Sequence, residues 1–148
     1  MRRIAVLAAA VMMAMPLPLL AQTPPPQAFL YGAWTGGLFP PPSQLSATTC
    51  LAQPSVVFMR DVVMHASLTD VTYVQRQIET VRGTGTGLVF RFVPSAPQQQ
   101  AGGFGVTTDQ GFGCASPDEL SVRRLSADQI SFPGCADYPF PLVRCPAR

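Results

Sequence analysis

The chain has 148 residues, including 16 Pro and 12 Gly, and only 12% of its residues are charged. So many turn formers and helix breakers argue against a helical bundle and favour one domain of many short strands. All ten basic residues are Arg, and the only adjacent pair beyond the first three residues is Arg123-Arg124, so we expect no nucleic-acid partner, which would need clustered cations.

The N-terminus has the pattern of a secretory signal peptide. Met1-Arg2-Arg3 is followed by an apolar run from Ile4 to Met15 and then by a small residue, Ala21. This pattern predicts a signal at residues 1–21 and a mature protein in the periplasm or secreted into the medium. A retained membrane anchor is the alternative, but the uninterrupted run is shorter than the roughly 20 residues that a spanning helix requires. We therefore expect no membrane span in the mature chain.

The first half of the mature chain predicts a leader, a strand and a hairpin. Residues 22–28 are rich in Pro and predict an extended leader. Residues 29–37 combine aromatic residues with glycines and predict the first strand, after which residues 43–54 predict a loop. Residues 55–68 form a β-branched run that Arg60-Asp61 interrupts, so they predict one bent strand or a hairpin.

Residues 69–82 allow two structures. Their Val, Thr and Tyr content favours a strand. However, Asp70 can cap the start of a helix, Gly83 can end it, and four apolar residues recur on one narrow face at helical spacing: Val71, Val74, Ile78 and Val81. Because the helical template gathers the apolar residues on one face better than alternation does, we predict a short helix at about 70–82.

The second half of the chain predicts further strands. The glycine-rich residues 83–87 lack the Lys and Ser/Thr ending of a phosphate loop and predict a flexible turn before an alternating strand at 88–93. A repeated Gly-Phe-Gly pattern predicts two short strands between residues 104 and 114. The clearest hairpin pairs residues 120–125 with 130–132, and a Pro-rich loop from 135 to 145 follows it.

Four cysteines lie in the mature chain: Cys50, Cys114, Cys135 and Cys145. An even number in an exported chain predicts two disulfides, and the spacing has none of the short pairs typical of a zinc site. Of the possible pairings we favour Cys135 with Cys145 and Cys50 with Cys114. Each bridge would contribute on the order of 3 kcal/mol to stability.

Few residues of this chain point to catalysis. His65 is the single histidine, so a Ser-His or Cys-His hydrolase would have to use it, but it lies in an apolar stretch and we expect a structural role. The eight carboxylates fall mostly at predicted turns, without the pattern of a glycosidase pair or a calcium loop. We expect a protein without metal or cofactor that is not an enzyme.

Five aromatic residues are the candidates for binding: Tyr31, Trp34, Phe39, Tyr138 and Phe140. The first three either line a ligand pocket or plug one end of a barrel, and we favour the plug. Tyr138 and Phe140 each precede a proline, which holds them extended in a segment between two cysteines. They either face a protein partner or fold back over the core, and we favour the second arrangement.

Gly32-Ala33-Trp34 gives the predicted first strand a Gly-x-Trp motif. In this motif, in its size and in its succession of short strands, the chain resembles the small exported β-barrels of the lipocalin-like and avidin-like type, which include the bacterial metalloprotease-inhibitor family. The resemblance implies an up-and-down barrel that binds a ligand or a partner without chemistry.

We therefore predict a single, mainly β domain at residues 29–148, a small antiparallel barrel or sandwich stapled by disulfides. Its predicted function is that of an exported binding module that recognises a protein partner or a small apolar ligand. Two alternatives stay open: an envelope hydrolase that pairs His65 with a carboxylate such as Asp61 or Asp109, and a structural component of an envelope assembly.

Overall fold

The computed structural model describes residues 23–66, 73–95 and 111–147. Within these ranges, eight antiparallel strands form a closed barrel in which each strand pairs with the next along the chain and the last pairs with the first. This confirms the mainly β fold that the sequence predicts and selects the barrel over the sandwich. The strands are β1 (Gly32–Gly36), β2 (Val56–Phe58), β3 (Val62–His65), β4 (Val74–Thr84), β5 (Gly87–Phe92), β6 (Glu119–Arg124), β7 (Gln129–Ser131) and β8 (Leu142–Arg144).

The barrel has two unlike ends. At one, the hairpin end, short turns join β2 to β3, β4 to β5 and β6 to β7, at residues 59–61, 85–86 and 125–128. At the other, the loop end, longer connections follow β1, β3, β5 and β7, and of these the structure describes residues 37–55, 66, 73, 93–95, 111–118 and 132–141. Binding residues concentrate on connections held by a rigid scaffold, so we expect a site at the loop end.

Apolar side chains fill the barrel because one face of each strand points inward. In β5, Leu88, Phe90 and Phe92 are buried and alternate with more exposed neighbours, as the sequence pattern predicts. Burying a side chain of this size stabilises the fold by roughly 1.5–3 kcal/mol relative to leaving it in water. The same cluster includes residues from other strands and from the loop end, among them Trp34, Phe58, Phe112, Leu120 and Ile130.

Among the residues that the structure describes, two short helical segments lie outside the strands. Helix α1 (Ala47–Ala52) occupies part of the stretch predicted to be a loop, and the Ser46 hydroxyl caps it by accepting a hydrogen bond from the Thr49 amide at 3.1 Å. A 3-10 turn (Ala28–Leu30) precedes β1. The Ala28 amide donates to the Pro25 carbonyl at 2.9 Å, so the leader turns before β1 instead of staying extended. No helix among the residues described above is long and apolar enough to cross a membrane.

The helix predicted at 70–82 is wrong, because β4 begins at Val74 and continues past residue 82; residues 70–72 lie outside the described ranges. At the loop end the inward side chain of β4 is Arg76, and a bulge interrupts the alternation between Ile78 and Thr80. Because of these two features, the apolar residues Val74, Ile78 and Val81 recur at the spacing typical of a helix. The β-branched content of the segment was the better guide to its structure.

Most other strand predictions are confirmed. Residues 56–65 form the β2–β3 hairpin with Arg60-Asp61 in its turn, β5 follows the glycine-rich turn, and β6 pairs with β7. The predicted terminal loop is wrong in part, because β8 lies within it and closes the barrel against β1. The predicted signal at 1–21 lies outside the described residues, as do residues 104–110 of the two strands predicted around the Gly-Phe-Gly pattern.

The two favoured disulfide pairings are wrong, although all four cysteines are bonded. The bridges are Cys50–Cys145 and Cys114–Cys135. The first forms because α1 packs on β1 and β8 is the neighbour of β1, where the Cys145 amide donates to the Ala33 carbonyl at 2.9 Å. The second forms because two loop-end connections run side by side, with the Ala136 amide donating to the Gly113 carbonyl at 2.8 Å. Closure of the barrel thus decides which cysteines meet.

Candidate functional site

Trp34 is covered by protein and is not open to a ligand. Its side chain is fully buried, and its indole N–H donates to the Leu30 carbonyl at 2.8 Å. The Arg144 guanidinium lies 4.3 Å from the centre of the ring, within the range of a cation–π contact. The 3-10 turn and β8 therefore enclose the indole, which fills this part of the barrel in the manner of a plug.

Arg144 fastens the start of β1 to the end of β8. Its guanidinium donates to the carbonyls of Tyr31, at 3.0 Å, and of Phe29, and its Nε lies 3.3 Å from the Asp128 carboxylate. Tyr31 is half-buried and belongs to this closing network. Phe39 follows β1 on the opposite side, at the loop end, so Tyr31, Trp34 and Phe39 do not form one pocket.

Aromatic rings occupy the interior of the barrel as far as the loop end. Ring centres lie 5.6 Å apart from Phe58 to Phe90, 6.3 Å apart from Phe90 to Phe92 and 5.8 Å apart from Phe92 to Phe112. Phe112 also contacts Tyr138, with ring centres 5.7 Å apart. In small barrels the interior either is filled by side chains or holds one small ligand, and here aromatic side chains take up this space.

His65 is enclosed at the loop end rather than set in an open cleft. Its side chain is 3% exposed, its ring centre lies 4.1 Å from that of Phe112, and Nδ1 lies 3.2 Å from the Ala66 carbonyl oxygen. A general base must reach its substrate, whereas this ring is packed into the core. Of the carboxylates considered as partners, Asp61 directly precedes the first residue of β3, whereas His65 is the last residue of that strand. Asp109 lies outside the described residues.

Tyr138 is an anchor in the core, although the residues on both sides of it are exposed. Its side chain is 2% exposed, and its hydroxyl donates to the Ala66 carbonyl at 2.8 Å. Burial, and after it the charge of Asp137, raises the pKa of Tyr138 above its usual value. Of the two aromatics between Cys135 and Cys145, Tyr138 folds back over the core and Phe140 faces solvent.

Phe39 and Phe140 lie on adjoining segments of the loop end. The Gly37 amide donates to the Pro141 carbonyl at 3.1 Å, and the Phe140 amide donates to the Gly37 carbonyl at 3.0 Å. Gly36, with a φ of +90°, permits this approach, because a Cβ at that position would lie 2.7 Å from the Pro141 carbonyl oxygen. Phe39 is 66% exposed and Phe140 is 38% exposed.

Prolines stiffen both segments. Three follow Phe39 directly and two flank Phe140: Pro40, Pro41, Pro42, Pro139 and Pro141. Because a proline ring fixes φ, these segments lose little conformational freedom when they bind. We term Phe39, Phe140 and these prolines the aromatic–proline surface. An open groove of about 400 Å³, lined by Pro133, Gly134 and other residues, reaches this surface at Pro139.

Comparisons with protein families, curated proteins and solved structures give no match. The resemblance of Gly32-Ala33-Trp34 to lipocalin-like and avidin-like barrels therefore stays a prediction. The function of the chain can be inferred only from its own contacts. In the part of the chain that the structure describes, no three His, Cys, Asp or Glu side chains form a group that could hold a metal ion.

Arg76 is a buried residue that the sequence analysis did not single out. Its guanidinium lies 2.5 Å from the Asp118 carboxylate, donates to the Pro117 carbonyl at 2.7 Å and lies 5.1 Å from the centre of the Phe92 ring. These contacts tie β4 to the segment that leads into β6, and they partly offset the cost of burying the charge. The signal in the sequence is an Arg flanked at two-residue spacing by Val74 and Ile78.

Proposed function

We propose that this protein is an exported, non-catalytic binding module that recognises a protein partner through the aromatic–proline surface. The observation that carries the proposal is the exposure of Phe39 and Phe140 on two segments that hydrogen bonds and prolines hold in place. Aromatic side chains are enriched at the centres of protein interfaces. A surface that is already rigid loses less entropy on binding than a mobile loop does.

Contacts with the barrel hold this surface in place. Tyr138, buried two residues before Phe140, fixes one segment to the core. The Cys50–Cys145 bridge ties the connection that contains Phe39 to the end of β8. Because disulfides persist outside the reducing cytosol, a scaffold held in this way suits a protein that acts in the periplasm or the medium.

A protein partner fits the structure better than the other predicted functions. The rings from Phe58 to Phe112 occupy the interior in which a small apolar ligand would sit. His65, which the hydrolase alternative requires, is stacked on Phe112 within the core. A structural role in an envelope assembly would use the same surface. The identity of the captured protein distinguishes the two functions, because an assembly component would be captured in the first case and a single partner protein in the second.

The test replaces the two exposed aromatics together. We expect Phe39→Ser with Phe140→Ser to abolish cross-linked capture of the partner from an envelope extract, with the captured protein identified by mass spectrometry. The thermal midpoint should change little, because substitutions at exposed positions usually alter the free energy of unfolding by no more than about 0.5 kcal/mol.

Leu125→Ser is the matched control. Leu125 is an exposed apolar side chain, but it lies at the hairpin end, far along the barrel from the aromatic–proline surface. This variant should retain the partner. Capture of the same protein by the double variant, or its loss in the Leu125 variant, would contradict the proposal.

A further inference from the structure

Strand β4 extends beyond the end of its neighbour β3. β3 pairs with β4 only as far as Gln77, and the last hydrogen bond on that side runs from the Ile78 amide to the Asp61 carbonyl at 2.8 Å. On its other side, β4 stays paired with β5 as far as Thr84. In the described ranges, therefore, no strand pairs with the β3 side of β4 from Thr80 to Thr84.

Two hydrogen bonds show how β5 is oriented. The Val93 amide donates to the Gln77 carbonyl of β4 at 2.9 Å, and the Phe92 amide donates to the Asp118 carbonyl beside β6 at 2.8 Å. Since successive residues of a strand direct their backbone groups to opposite sides, the odd-numbered residues of β5 bond to β4 and the even-numbered residues bond to β6.

The register then identifies the backbone groups of β4 that no strand in the described part of the chain pairs with. The odd-numbered residues of β5 are opposite Thr80, Arg82 and Thr84, so these three direct their amides and carbonyls toward β5. The residues between them, Val81 and Gly83, direct their amides and carbonyls away from β5. Their backbone groups form a short row along the open side of β4.

We propose that the open edge of β4 from Thr80 to Thr84 is a second binding site, at which an extended, acidic segment of a partner protein adds to the barrel as a further strand. An unpaired edge is a template for strand addition, in which backbone hydrogen bonds supply affinity and side chains supply selectivity. The edge is exposed at Thr80, Arg82 and Gly83. It lies toward the hairpin end and is separate from the aromatic–proline surface.

Charge favours an acidic partner. Arg82 lies on the edge and Arg123 lies near the same end of the barrel; both are exposed, and neither forms an ion pair within the described residues. In the turn beside the edge, Arg60 and Asp61 are both exposed and their charges offset each other. Glu79, the nearest acidic residue on β4, is already paired with Arg91 at 3.2 Å. If the added strand runs antiparallel to β4, the residue opposite Arg82 forms a non-hydrogen-bonded pair with it. In such pairs the Cα atoms are about 4.5 Å apart, so the two side chains lie closer together than in a hydrogen-bonded pair.

The same geometry disfavours a second copy of this chain as the occupant. Two copies that paired their β4 edges in antiparallel fashion about Arg82 would place these guanidinium groups directly opposite each other. Like charges in that position destabilise a strand pair. A carboxylate opposite Arg82 removes this repulsion and adds an attraction.

The test uses a synthetic peptide of about seven residues, in which Val and Thr alternate around one central Glu, and a matched peptide with Lys in place of Glu. Each is titrated into the protein with both disulfides formed, and backbone amides are followed by NMR. We expect the Glu peptide to shift the Val81 and Gly83 signals saturably and to slow their hydrogen exchange, while the Arg82 amide changes little. The Lys peptide should bind about threefold more weakly.

Two substitutions at one residue separate strand addition from other binding. Gly83→Pro removes the outward amide and should weaken the Glu peptide about tenfold. Gly83→Ala keeps that amide, and its Cβ would meet nothing within 4 Å, so affinity should be unchanged. Arg82→Glu should reverse the preference in favour of the Lys peptide, which keeps the test valid even where the proline variant does not fold.

Several results would overturn the proposal. One is slow exchange of the Val81 and Gly83 amides without peptide, which would show that the chain already covers its own edge. Another is the absence of any shift with either peptide, or equal affinity for both. A third is a wild-type dimer in sedimentation that Gly83→Pro dissociates, because the occupant would then be a second copy.

Discussion

Tyr138 and Phe140 are two residues apart, yet one is buried in the core and the other faces solvent. Side chains at this spacing share a side in extended chain, so the segment has to turn. The chain bends at Phe140, where the Phe140 amide donates to the Gly37 carbonyl on the β1–β2 connection at 3.0 Å, whereas Tyr138 ends a preceding turn in which its amide donates to the Cys135 carbonyl at 3.2 Å. A single short segment thus provides both an anchor and a contact residue.

The alkaline stability of the protein should depend on Tyr138. Burial raises the pKa of Tyr138 above the usual value of 10.0, so the folded chain holds the phenolic proton more tightly than the unfolded chain does. The resulting stability is fully present below about pH 10 and is lost as the pH rises above it. We expect Tyr138→Phe to be less stable by about 1 kcal/mol at neutral pH, through loss of one hydrogen bond, and to lose less stability above pH 10.

Urea unfolding followed by Trp34 fluorescence, repeated across that pH range, measures both effects. Tyr73→Phe is the comparison, because burial also raises the pKa of Tyr73, whose hydroxyl donates to the Pro54 carbonyl at 2.5 Å. The Tyr73 variant should keep the steep alkaline fall that Tyr138 causes. Parallel curves for wild type and Tyr138→Phe above pH 10 would refute the assignment.

At the scale of the element, a strand could be predicted where its alternation is uninterrupted. β5 shows Leu88, Phe90 and Phe92 at regular spacing, and the sequence predicts it almost residue for residue. β4 could not be predicted in this way, because an inward Arg76 and a bulge break the pattern, and both depend on partners distant in sequence. β8 has only three residues and owes its structure to pairing with β1 and β7.

The tight β4–β5 hairpin gives a prediction about one glycine. A Cβ at Gly87 would lie 1.9 Å from the Val122 carbonyl oxygen of β6, so this position has room only for a hydrogen. We expect Gly87→Ala to lower the free energy of unfolding by about 2 kcal/mol, measured by denaturant titration, because β5 and β6 must separate to admit the methyl group.

Gly85→Ala in the same hairpin is the control. A Cβ there would meet nothing within 4 Å, so the variant should stay within about 0.5 kcal/mol of wild type. Similar losses in the two variants would mean that the entropy and flexibility of the turn, rather than the approach of β5 to β6, decide the stability of this hairpin.

At the scale of the whole molecule, closure of the barrel brings together residues that no local pattern connects. The sequence indicates Phe39 and Phe140 as candidates, but only the pairing of β1 with β8 makes their segments neighbours. The cysteines follow the same logic: their even number predicts two bridges, whereas the choice of partners depends on which loops become adjacent. Closure is a long-range event, and for this reason the pairing could not be predicted from spacing.

The two bridges should differ in their contribution to stability. Cys50–Cys145 spans a sequence separation of 95 and Cys114–Cys135 one of 21, and a longer closed loop removes more entropy from the unfolded chain. We expect replacement of Cys50 and Cys145 by Ala to cost about 1 kcal/mol more than replacement of Cys114 and Cys135 by Ala. Guanidinium unfolding of the two double variants, each with its remaining bridge confirmed by non-reducing peptide mapping, measures the difference. An equal loss, or a greater loss from the shorter loop, would mean that packing around Cys114–Cys135 at the loop end outweighs the restriction of the unfolded chain.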